Sequence, residues 1–100
     1  MPSSNVNISV IAELIFEDFV AWKNINQIYN YVRDNKKAGI ISTKLALNQI
    51  AKRMFDKVKD LNPNQINELK SNFNQKDWEL ISFIICEQKL ISEQSLEINQ

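Results

Sequence analysis

Apolar side chains recur at spacings of three and four along most of this chain, the period of one face of an α-helix. About five helices follow from that pattern. The first covers about 9–22, where Val10, Ile11, Leu14, Ile15, Phe16, Phe19, Val20 and Trp22 leave a narrow polar strip at Glu13, Glu17 and Asp18. An apolar stripe that wide predicts burial on more than one side. The second covers about 25–35, with Asn24 as N-cap and Gln27 at capping-box spacing. Ile28, Tyr31 and Val32 form its apolar face, so Tyr31 is expected in the core and Tyr29 partly exposed, since residues two apart on a helix diverge. Ala38-Gly39 ends the run, with Gly39 free to take the left-handed conformation at a helix C-terminus.

The third helix, about 43–60, is the longest. Ser42 is its expected N-cap, because a hydroxyl there can accept a bond from an orphan backbone N–H. Leu47, Ile50, Ala51, Met54, Phe55, Val58 and Leu61 make one face, and Ser42, Gln49, Lys52, Arg53, Asp56 and Lys59 make the other. The fourth is short, about 63–72, and opens on "LNPNQINEL". Asn62 is its N-cap, Pro63 its first residue and Gln65 the third past the cap, with Ile66, Leu69 and Phe73 turned inward. The fifth starts after Asn74 and reaches about 92, with Asp77 near its positive N-terminal end. It is apolar nearly all round from Leu80 to Cys86, so it is expected to sit centrally, against the first and third helices. Its residues 87–93 coincide with the start of the Myc epitope, but Leu90 and Ile91 keep the helical period, which makes the segment part of the fold. The expected fold class is therefore all-α: one domain over 1–100, a compact bundle of about five helices, with 1–8 and 94–100 frayed.

Composition agrees. Hydrophobic residues make up 44% of the chain, enough for a core and too many for a disordered tail. One glycine and two prolines leave little material for the tight turns of a many-stranded fold. There is no histidine and only one cysteine, Cys86, so an internal disulfide, a histidine metal site and a histidine-based triad are all excluded. The N-terminus lacks the basic region of a signal peptide, and no apolar run approaches the roughly 20 residues of a membrane span. A cytoplasmic protein without cofactor or membrane partner is the expectation.

Charge is zero in total and uneven in placement. Residues 1–32 balance at −2, residues 33–59 at +6 and residues 60–100 at −4. The basic middle coincides with the third helix and the turn before it. Together with the second helix these could form a helix-turn-helix-like element, whose second helix enters the major groove. Ser42, Thr43 and Lys44 would reach base edges, with Gln49, Lys52 and Arg53 behind them, and Lys36 and Lys37 would meet phosphates at the turn. The alternative is that any solvated helix face carries Lys, Arg, Asn and Gln. Trp22 and Trp78 could stack bases but sit beside dense apolar runs that place them in a core. The carboxylates Glu13, Glu17 and Asp18 lack a second ligand cluster and read as a solvated strip. Cys86, in "FIICE", reads as a core side chain with no base to activate it.

The segment "DNKKAGIISTKLALNQIAKRMFDKVKDLNPNQINEL" resembles the N-terminal helical part of BrxA proteins, components of the BREX phage-defence systems. Asn35, Ser42, Thr43, Arg53, Leu61 and Pro63 carry the resemblance, which spans residues 10–93. It implies an all-helical, non-enzymatic defence component that binds double-stranded DNA. The competing expectation is a small helical protein–protein interaction module: an immunity protein, an anti-defence inhibitor or an adaptor, meeting a partner or a second copy through its first or fifth helix.

Overall fold

Nothing between Trp22 and Ile25 stops a helix. An asparagine in a helix interior costs less than about 0.7 kcal/mol relative to alanine, and burial along one unbroken face outweighs it. In the computed structural model, which describes residues 6–36 and 38–98 and the side chains as far as Gln94, the first two expected helices are one. There are four helices among the described residues: α1 (Ile8–Asp34), α2 (Ile40–Val58), α3 (Pro63–Lys70) and α4 (Gln75–Ile98). Asn24 lies inside α1, and Asn7 is the cap that starts it, its side-chain oxygen accepting from the backbone N–H groups of Ser9 and Val10. Continuity also resets the phase. Ile15, Phe19, Trp22, Asn26 and Tyr29 share one face at helical spacing. Tyr29 is therefore half-buried, while Ile28 and Tyr31 are exposed, the reverse of the expected assignment of the two tyrosines.

The turn between α1 and α2 depends on two residues with positive φ, Lys36 at 52° and Gly39 at 104°. A Cβ on Gly39 would meet nothing within 4 Å, so the backbone conformation, not space, calls for glycine there. Gly39 stands at the N-cap of α2 rather than closing the helix before it. Ser42 is inside the first turn of α2 and does not cap it. Thr43 instead bonds back, its hydroxyl donating to the Gly39 carbonyl at 2.8 Å. The signals at α3 and α4 act as expected. Asn62 and Gln65 form a reciprocal capping box at 2.9 and 3.0 Å with Pro63 as first residue, and the Asn74 side chain accepts from the Asp77 N–H at 2.8 Å.

The core joins Ala12, Ile15 and Phe19 of α1, Ile50, Ala51, Met54 and Val58 of α2, Leu69 of α3, and Ile81 and Ile84 of α4. Phe16 and Trp78 stack on either side of Phe73, at 6.5 and 5.8 Å between ring centroids, which ties α1 to the α3–α4 junction. The most extensive pairing is α1 with α2. α4 lies against α2, and α3 braces α1. α4 is therefore a flank and not the expected centre. Its outward face leaves Phe83, Cys86 and Leu90 exposed, so the core placement of Cys86 does not hold. Residues 87–93 continue α4, with Gln88 buried and both Leu90 and Ile91 exposed.

The helices make a slab of 53 × 38 × 19 Å, about two helix diameters thick. Its radius of gyration, 15.3 Å, exceeds the about 13 Å of a globular chain this long. A slab this thin leaves broad helix faces uncovered. Among the described residues no helix is long and apolar enough to cross a membrane.

Candidate binding surface on the α1–α2 hairpin

α1 and α2 run side by side in opposite directions. Asp18, early in α1, meets Arg53 and Lys57 late in α2, and Tyr29, late in α1, shares a depression with Lys44 early in α2. That is an αα-hairpin joined along the length of α2. A helix-turn-helix pair instead crosses at a steep angle so that its second helix can project, and the structure does not bear out that element.

The hairpin sorts the basic residues. Lys57 donates to Asp18 Oδ2 at 2.7 Å, and Arg53 donates through Nη2 to Asp18 Oδ1 at 3.2 Å. Asp18 itself is only 13% exposed. It is a clamp between α1 and α2, whereas Glu13 and Glu17 stay solvated as expected. Lys59 pairs with Asp56 at 3.6 Å. Three cations at the C-terminal end of α2 are thus paired within the molecule, two of them sharing Asp18. Lys44 and Arg53 are nine residues apart, about half a turn out of phase, and lie on opposite flanks of α2. Lys36 is at the turn, Thr43 is engaged with Gly39, and Gln49 and Lys52 face solvent. Lys37 lies outside the described residues. Among the described residues, those expected to contact DNA do not converge on one ligand-sized site.

Asp18→Ala is expected to destabilise the protein by about 1–3 kcal/mol, because it leaves the largely covered Lys57 ammonium without its carboxylate partner and with only the Arg53 carbonyl at 3.5 Å. Arg53→Ala is expected to lose less than about 1 kcal/mol, because its guanidinium is half exposed and screened by water. Urea denaturation of both variants gives the order; a larger loss for Arg53→Ala would contradict this geometry.

Two side chains missing from the sequence-based site lie on the outward face of α2 in its first two turns. Ile41 is 76% exposed and Leu45 56%. With Tyr29, Ile40, Lys44 and Asn48 they line a shallow depression of about 320 Å³. Their signal was legible: Ile41 and Leu45 are four apart and out of phase with the buried series Leu47, Ile50, Ala51 and Met54. Lys52 follows Leu45 by seven residues, two turns along the same face.

The depression continues into a second space of about 230 Å³ between α1, α2 and α4, the two sharing Tyr29, Lys44 and Asn48. Trp22 and Ile84 form apolar parts of its wall, and Arg33, Lys44 and Glu87 bring charge to it. The Arg33 guanidinium lies 5.9 Å from the Tyr29 ring centroid. Four primary amides also line it: Asn26, Asn30, Asn48 and Gln88. Among the described residues no group of His, Cys, Asp and Glu side chains could hold a metal ion.

Comparison with known protein families, with curated proteins and with solved structures returns no match for this chain. The resemblance to BrxA proteins rests on the residues quoted for it alone.

Proposed function

We propose that this chain is a non-enzymatic binding module that docks an acidic, amphipathic segment of a partner protein on the outer face of the α1–α2 hairpin. The observation that carries this is the pair Ile41 and Leu45, exposed side by side with Lys44 beside them and Lys52 along the same face. Covering both side chains is worth about 3 kcal/mol at the usual value for burying a large aliphatic group. A phosphate backbone offers nothing to bury them. A partner with apolar residues among carboxylates matches both the centre and the cations, and the net positive balance of residues 33–59 would steer it there. The absence of histidine from the sequence supports a binding role, since no side chain then has an ordinary pKa near neutrality for general-base work.

One observation favours DNA as the second reading. Lys36, Lys44, Lys52 and Gln49 are exposed on the turn and α2. In that reading the chain would be a DNA-binding part of a phage-defence system, as the BrxA resemblance implies.

Selection of random linear peptides on the intact protein, with a parallel duplex-DNA titration across salt concentrations, separates the two. The expected result is peptides enriched in Asp and Glu interspersed with Leu, Ile and Phe, and DNA affinity that stays weak. A DNA affinity that falls steeply with salt and is lost in Lys52→Glu with Arg53→Glu would overturn the protein-partner reading.

A further inference from the structure

Gln88 is only 9% exposed, yet its side-chain amide makes no hydrogen bond among the described residues. Neither of its polar atoms is sealed from solvent, and Gln88 lines the space between α1, α2 and α4. Asn26, Asn30 and Asn48 line the same space, and their side-chain amides also have no hydrogen-bond partner among the described residues. Asn26 and Asn30 hold positions of α1 that continue the inward series of Ile15, Phe19 and Trp22, where the helical phase calls for apolar residues. Four amides without a partner among the described residues thus line one space, and their polar atoms stay open to water or to a ligand that enters it.

We infer that this cleft takes an extended stretch of the partner protein and reads its main chain through these four amides. A side-chain carboxamide offers one acceptor and two donors, which complements the N–H and C=O of a peptide unit. Asn26 and Asn30 are one helical turn apart, so their Cβ atoms are about 6 Å from each other. A strand repeats its outward N–H and C=O on one side every two residues, about 6.7 Å. Two carboxamides at that spacing can engage the N–H and C=O of alternate residues along one edge of an extended chain, and Gln88 and Asn48 line the same space from α4 and α2. A nucleotide fits less well. Glu87 offsets one of the two cations, Arg33 is already bonded to Asp34 at 3.3 Å, and no turn of backbone N–H groups is among the lining residues.

This inference rests on the protein-partner reading, because the cleft continues the depression around Ile41 and Leu45. The test uses the acidic peptides selected on the intact protein. Gln88→Met, and separately Asn26→Ala, should weaken peptide affinity by about tenfold or more while the melting temperature holds, since neither amide makes a hydrogen bond among the described residues. N-methylation of the peptide should weaken binding by a similar factor at alternate residues only. Two results would overturn the cleft alone: unchanged affinity in both variants, or a peptide whose essential side chains recur every three to four residues and which tolerates N-methylation, meaning that it docks as a helix on the outer face. A selection that yields no acidic binders would overturn the protein-partner reading as well.

Discussion

Phe19→Ala is expected to remove about 3–5 kcal/mol of stability, a large part of the about 5–15 kcal/mol that holds a domain of this size folded. Phe19 is 1% exposed and belongs to the core that joins all four helices. Its ring packs at 6.4 Å from that of Phe16, and the Lys23 ammonium sits 5.3 Å from its centroid. Truncation would leave a cavity between α1 and the rest of the core that two rigid helices cannot close. Phe83→Ala is the matched control. That ring points outward from α4, and surface substitutions of this kind stay within about 0.5 kcal/mol. Urea unfolding of both variants, followed by circular dichroism, reads the difference. Equal losses would mean that α4 is covered on both sides, contrary to the slab.

Ile41→Glu combined with Leu45→Glu should leave the fold unchanged and lower affinity for the acidic peptides by more than about a hundredfold. The about 3 kcal/mol of aliphatic burial lost corresponds to that factor, and the new carboxylates repel the ligand's own. Stability should hold, because both positions face water and fall in the first turn or two of α2, where a negative charge favours the helix. Lys76→Glu on α4 makes the same change in net charge away from the surface and should weaken binding only slightly. Titration calorimetry of the two variants checks this. Parity between them would reduce the surface to general electrostatics and remove Ile41 and Leu45 from the site.

Much of the proposed surface was within reach of the sequence, but its meaning was not. The basic character of α2 and the position of Lys44, Gln49 and Lys52 follow from period alone. Arg53 shows where that reasoning stops. Its partner Asp18 is 35 residues away, and nothing local distinguishes a paired guanidinium from a free one. Ile41 precedes the expected N-cap at Ser42, which left Leu45 without its neighbour one turn back. Starting α2 at Ile40 brings Ile41 onto the helix and pairs it with Leu45 on the outward face. The amides of the cleft were hidden for a similar reason. Asn24 looked like a helix start, and only the unbroken α1 brings Asn26 and Asn30 into phase with Phe19 and Trp22.

What this chain's sequence determined by itself is local: helical periods, the capping box at Asn62, the Asn74 cap, and the bend that needs Gly39. Each of these rests on bonds or sterics within about four residues, so each can be read from neighbours. Which stretches merge, which faces meet and which charges cancel came only with the tertiary structure. Those outcomes depend on burial summed over whole helix faces, and an apolar stripe such as that of α4 states a demand for cover without saying where along the chain the cover lies.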